Sequence, residues 1–177
     1  LNGLALYKYK PFGSTFLTFS DYLKPAIRMS ALMDLPVTYI FSHDSINIGE
    51  DGPTHQPIEQ LASLRAIPNF NVYRPCDFNE VVGCYKDIFK RGKPCSLILS
   101  RIDVPNLKNT KTDIEKGAYI IREPKKIDGI IIATGTDVHT ALNIANLLES
   151  EKDIFLRVVS MPSKCIFEQT DKSYQEQ

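Results

Sequence analysis

The segment Val37-Thr38-Tyr39-Ile40-Phe41-Ser42-His43-Asp44-Ser45-Ile46-Asn47-Ile48-Gly49-Glu50-Asp51-Gly52-Pro53-Thr54-His55-Gln56-Pro57 decides the fold. Its first five residues are rich in β-branched and aromatic side chains and follow Pro36, so they read as a short buried strand. The stretch beyond Phe41 packs His43 and His55 together with Asp44, Glu50, Asp51 and two glycines. Residues 59–67 then carry a helical pattern that Pro68 ends. Strand, loop and helix in this order place the loop at the C-terminal end of a strand, where open α/β sheets bind ligands.

Working outward, the same alternation repeats. Ser20-Asp21 offers a cap for a helix over 22–33, in which Leu23, Ala26, Ile27, Ala31 and Leu32 follow helical spacing and Pro25 suits the first turn. Residues 71–74 read as a strand and Asp77 as the cap of a helix over 79–90, with Val81, Val82, Tyr85, Ile88 and Phe89 on the buried side. Residues 96–100 form a third strand; the stretch 102–126 reads differently, and within it 103–112 show no clear period and read as a surface loop or linker. Strand 130–133, helix 138–148 and strand 154–159 make a further β-α-β unit. The fold class expected is α/β: a parallel sheet flanked by helices over residues 1–122, then the opening βαβ of a second α/β domain over 123–177.

Composition narrows the functional classes. The 177 residues carry 21 basic and 21 acidic side chains, so balanced charge gives no long-range attraction to nucleic acid or an anionic membrane. The longest aliphatic run, around residues 130–133, is far shorter than the roughly 20 residues of a membrane span. Cys76, Cys84, Cys95 and Cys165 include no C-x-x-C pair, which points to reduced thiols in a cytoplasmic protein rather than a zinc site or a disulfide scaffold. The start Leu1-Asn2-Gly3 has neither a signal peptide nor an initiating Met, and is read as the interior of a longer protein.

Four features could carry chemistry. His43, Asp51 and His55 combine imidazoles that titrate near neutrality with a carboxylate that can orient them. Phe16, Phe19 and Tyr22 recur every third residue, either as a core stripe or as a platform for a flat heterocycle. Arg101 closes the third strand and could fork onto a phosphate or form a surface ion pair. The turn at Gly135, between strand and helix, could cradle an anion, although it lacks the G-x-G-x-x-G spacing. Glu50-Asp51-Gly52 with Asn79 is loosely similar to the metal-diphosphate motif of thiamine enzymes, but that motif requires Gly where Glu50 stands.

Taken together, residues 13–19 (Gly-Ser-Thr-Phe-Leu-Thr-Phe), Tyr22, residues 42–46 (Ser-His-Asp-Ser-Ile) and residues 49–59 (Gly-Glu-Asp-Gly-Pro-Thr-His-Gln-Pro-Ile-Glu) resemble the transketolase family, as do 99–101, 117–119, 132–135 and 157–162. The resemblance runs over essentially the whole chain. Deoxyxylulose-phosphate synthase, a relative, shares the Asp-Gly-Pro-Thr-His-Gln core.

The resemblance implies a pyrimidine-binding domain over 1–122 and the start of the C-terminal domain over 123–177. It implies thiamine diphosphate and Mg²⁺ as cofactors, with Phe16, Phe19 and Tyr22 lining the aminopyrimidine pocket. It makes His55 the catalytic residue, and gives His43, Asp51, His55 and Arg101 contacts to sugar phosphates. The implied reaction is transfer of a two-carbon ketol unit from a ketose phosphate to an aldose phosphate, in the pentose phosphate pathway. No metal ligand is assigned to this chain: the glutamate that meets the pyrimidine nitrogen and the diphosphate and metal ligands are expected outside it. The partner is then a diphosphate-binding domain of the same or a separate chain, with a homodimer in the full protein. The chain alone is expected to be inactive. Rival readings are a split subunit, a non-catalytic binding protein that kept the fold, and the synthase.

Overall fold

A computed structural model describes residues 1–177, which pack as two compact units: Leu1–Tyr73 with Lys86–Asp103, and Arg74–Tyr85 with Val104–Gln177. The first unit holds a four-stranded sheet built from β1 (Phe12–Phe16), β2 (Thr38–Ser42), β3 (Asn71–Tyr73) and β4 (Cys95–Ile98). The spatial order is β1-β2-β4-β3, and every pairing is parallel. Helices α1 (Asn2–Leu6), α2 (Ser20–Leu32) and α3 (Gln60–Arg65) surround it. Parallel strands need both faces covered, and β2 and β4 accordingly bury Tyr39, Phe41, Leu97 and Ile98 to 2% exposure or less. Leu17, Ile27, Val37, Leu64, Phe70 and Val72 complete this core.

Three expectations change here. β1 is a strand that the sequence reading does not contain, because Gly13-Ser14-Thr15 offers no apolar run. Pro25 lies in the second turn of α2, not the first, because the helix begins at Ser20. The α2 face is also narrower than expected: Ile27 and Ala31 are buried, whereas Ala26 and Leu32 are exposed.

The second unit contains β5 (Tyr119–Arg122), β6 (Gly129–Ala133), α5 (Asp137–Lys152) and β7 (Leu156–Ser160), followed by short helices α6 (Lys164–Phe167) and α7 (Lys172–Gln175). The β6-α5-β7 unit pairs in parallel as expected, and α5 buries Val138, Ala141 and Ala145. β5 lies in the 102–126 stretch, where the sequence reading contains no strand, and pairs antiparallel with β7, so this sheet is mixed. The joining residues are polar enough to hide a four-residue strand.

Helix α4 (Phe78–Arg91) gives its first turns to the second unit and its last turns to the first. Asp77 caps it, accepting from the Glu80 amide at 3.0 Å. The buried face differs from the expected one: it consists of Glu80, Gly83, Cys84, Asp87 and Ile88, while Phe89 is exposed. Glu80 is fully buried and accepts hydrogen bonds from the Cys76 amide (2.8 Å), Tyr119 Oη (2.7 Å) and Ser160 Oγ. Burial, followed by the charge of Glu80, pushes the Cys76 thiol and the Tyr119 hydroxyl far above their ordinary pKa values.

Gly117 shows why a glycine is needed in the second unit. Its φ is +75°, and an added Cβ would stand 2.4 Å from the Ser163 carbonyl oxygen and 2.5 Å from the Phe167 amide nitrogen. Both neighbours are backbone and cannot swing away. Gly117→Ala is expected to cost at least about 2 kcal/mol, from the left-handed conformation plus the clash. Urea unfolding of the two proteins measures it, and an unchanged midpoint would contradict the packing described.

Candidate active site

The site begins at the C-terminal ends of β1 and β2. Their parallel register sets Phe16 beside Ser42, so the residues that follow emerge side by side. After Phe16 the chain makes one 3-10 turn, Leu17–Phe19, anchored by the buried Leu17. Three residues complete a 3-10 turn, so Phe16 and Phe19 project to the same side. Their rings lie 6.1 Å apart and within 12° of parallel. Tyr22 continues the series on α2, its ring 6.1 Å from Phe19 and largely exposed.

His43 follows β2 directly in a left-handed conformation, φ 59°. That bend stacks its imidazole on Phe16, with centroids 3.7 Å apart and planes at 24°. His55 arrives from the far end of the loop, where its amide donates to the Gly52 carbonyl at 3.1 Å. Gly52 has φ +71°, which a glycine adopts without a Cβ penalty. The His55 ring stands T-shaped to Phe19 at 5.1 Å and to Phe16 at 6.1 Å. The loop is tied down between its ends by the buried Ile48.

Each imidazole is held at Nδ1 by the hydroxyl one residue earlier: His43 by Ser42 Oγ at 3.0 Å and His55 by Thr54 Oγ1 at 2.8 Å. Such a bond fixes ring orientation and leaves Nε2 for another partner. The sequence shows both Ser-His and Thr-His steps, but the role of the hydroxyls emerges only from the geometry.

The structure thus brings Phe16, Phe19, Tyr22, His43 and His55 into one cluster of rings. It leaves the Asp51 and Arg101 side chains exposed and outside those ring contacts. Strand β4 ends at Ile98, so Arg101 lies beyond the strand end rather than on it. Another residue was not singled out from sequence. Gln60 is 4% exposed, donates from Nε2 to Asp21 Oδ2 at 2.9 Å and accepts the Ile58 amide on Oε1 at 2.8 Å. This amide holds the Asp21 carboxyl below its ordinary pKa, with the Lys24 ammonium 3.0 Å away assisting.

A near-parallel pair of phenyl rings, with His43 stacked on Phe16 and His55 at a steep angle to both, suits a flat nitrogen heterocycle, which gains apolar contact on its faces and hydrogen bonds at its rim. A metal-diphosphate group finds no such match: no three His, Cys, Asp or Glu side chains converge to hold an ion. The Gly135 turn is not an anion cradle either. Arg74 fills it: an added Cβ at Gly135 would lie 2.9 Å from Arg74 Nε, and Nη1 donates to the Thr134 carbonyl and Asp137.

Comparison with known proteins identifies the family. Residues 1–106 match the sequence profile of the transketolase pyrimidine binding domain, and residues 117–177 match that of the transketolase-like C-terminal domain. The chain belongs to the transketolase family. The transketolase of Streptococcus pyogenes is 48% identical over 99% of the chain and 25% of that protein. The chain thus spans about a quarter of the length of such transketolase relatives. A crystal structure of Pichia stipitis transketolase in complex with sedoheptulose 7-phosphate superposes with a TM-score of 0.93 at 41% identity, covering 98% of this chain and 26% of that one. A split-gene transketolase, solved as an inactive β4 tetramer, gives 0.77 at 32% identity, covering 91% of this chain and 52% of that one.

Proposed function

We propose that the chain supplies the pyrimidine pocket and the sugar-phosphate contacts for two-carbon ketol transfer between a ketose phosphate and an aldose phosphate. The observation that carries this is the cluster of Phe16, Phe19, Tyr22, His43 and His55 inside the segment that matches the pyrimidine-binding family. The transketolase family depends on thiamine diphosphate. When bound, that cofactor supplies the electron sink for carbon–carbon cleavage. Phe16 and Phe19 would bury its aminopyrimidine ring, with Tyr22 closing the outer side. His55, oriented by Thr54, would exchange a proton with sugar hydroxyls through Nε2. His43 and Arg101 would hold the sugar phosphate, and Asp51 would accept a hydrogen bond from a sugar hydroxyl.

The functional division is proposed at residues 1–122 and 123–177. Mg²⁺ and diphosphate ligands would come from a diphosphate-binding domain, on the same or a separate chain, within a homodimeric assembly. The reading includes a cytoplasmic location. No helix is long and apolar enough to cross a membrane, and none of the four cysteines forms a disulfide.

Ketol transfer from xylulose 5-phosphate, with thiamine diphosphate and Mg²⁺, tests the proposal. The chain alone is expected to show no turnover, and supplying both the segment with the pyrimidine glutamate and the diphosphate-binding domain should bring it out. Turnover by the chain alone would refute the predicted dependence, and silence with both supplied would refute ketol transfer. Phe19→Ala is expected to raise the thiamine diphosphate Kd by about tenfold or more, because the ring loses its stacking and burial.

A further inference from the structure

We propose that Gln60 is a positioning residue: through Asp21 and the Ile58 amide it sets the distance between the Phe19–Tyr22 segment and the loop that delivers His55. The role as stated rests on the function proposed above. Phe19 and Tyr22 belong to the entry of α2, whereas His55 belongs to the loop before α3, and no strand pairs these two segments. Something must fix their separation if the Phe19 and His55 rings are to meet at 5.1 Å.

Gln60 is the polar side chain that bridges them. It is the first residue of α3 and is 4% exposed. One end of its amide receives the Ile58 N–H, three residues past His55, and fixes the loop exit. The other end donates to Asp21, one residue before Tyr22 and two after Phe19. A buried amide satisfied at both ends has a single favourable orientation, so it behaves as a strut of fixed length. Its backbone carbonyl also accepts from Ser63 Oγ at 2.8 Å, which holds the first turn of α3 under the strut. The remaining polar neighbour of Asp21 is Lys24, an exposed pair on the same helix that reaches no part of the loop.

The polarity of the bridge gives a reversal test. Gln60→Glu sets a carboxylate against Asp21 and should push the segments apart. The paired exchange D21N/Q60E lets Asn donate to Glu and restores the bond with its direction reversed. Asp21→Ala removes the partner at an exposed position and remains available if Q60E fails to fold.

The readout is the ring ¹H–¹³C spectrum of the three histidines. His55 senses the ring current of Phe19. His139 hydrogen-bonds the Cys76 carbonyl at 3.1 Å in the second unit and serves as an internal control. Q60E and D21A should both displace the His55 resonances and leave His139 unchanged, and D21N/Q60E should return His55 to its place. Thiamine diphosphate Kd, measured alongside, should rise about tenfold in Q60E and recover in the exchanged pair. Unmoved His55 resonances in folded Q60E or D21A overturn the proposal, as does displacement that the exchange does not reverse. If the unsubstituted protein, completed with the pyrimidine-glutamate segment and the diphosphate-binding domain, binds no thiamine diphosphate, the functional reading fails. The strut is then judged on the resonances alone.

Discussion

Replacing His55 with alanine is expected to lower kcat for ketol transfer by about 10²–10⁴-fold, the usual worth of a positioned acid–base group. Thr54 Oγ1 occupies Nδ1 at 2.8 Å, so Nε2 is the nitrogen that can meet a sugar hydroxyl. The contacts with Phe16 and Phe19 set the His55 ring in the aromatic cluster. Alanine also removes those contacts, so some loss of cofactor affinity accompanies the loss of rate. Glutamine separates the two effects: it keeps a polar group of similar reach but cannot take up a proton. His55→Gln should therefore hold KM near that of the parent while kcat falls. Steady-state kinetics across pH on the assembled enzyme measure this. A fall in kcat below about tenfold would remove His55 from the acid–base role.

Replacing Glu80 with alanine is expected to destabilise the second unit by at least about 3 kcal/mol. Three donors converge on this carboxylate: the Cys76 amide, Tyr119 Oη and Ser160 Oγ. Bonds to a charged acceptor contribute about 1.5–3 kcal/mol each, and alanine would leave all three donors buried without it. Tyr119 keeps its acceptor role toward the Lys111 amide at 3.1 Å, which limits the loss at that ring. Glu80→Gln retains the shape but can accept fewer of the three bonds, so a smaller loss is expected. Denaturant midpoints of the three proteins give the order. Equal stability of the parent and the alanine variant would show that the hub does not hold the unit together.

The same residues explain what could be read in advance. Strand β2 is legible because its β-branched and aromatic residues are consecutive, and β4 because Leu97-Ile98-Leu99 is an apolar run; both strands are largely buried. Strand β1 is not legible, since Phe12 and Phe16 flank small polar residues and the strand runs along the sheet edge. The face of α4 misleads because two of its central positions are acids: Glu80 and Asp87 are buried by hydrogen bonds, from Tyr119 in one case and from Tyr73 and Arg91 in the other. Periodicity of apolar residues cannot find a face built that way. At the site, the aromatic triplet and the two histidines stand out in sequence because their spacing and loop context are local. Gln60 does not, because its partner is 39 residues away and a glutamine at a helix start has many ordinary explanations.

The interleaving of α4 also bears on how such genes can be shuffled. The two family matches are separated by residues 107–116, which looks like a natural crossover point for recombining homologous genes. Yet Arg74–Tyr85, encoded before that point, packs with residues encoded after it. A chimera joined there would inherit Glu80 and its cap from one parent and Tyr119 and Ser160 from the other. Arg74 would likewise be parted from Gly135 and Asp137. Those positions form one inheritance block, so exchange across the linker is tolerated only between parents that agree at all of them.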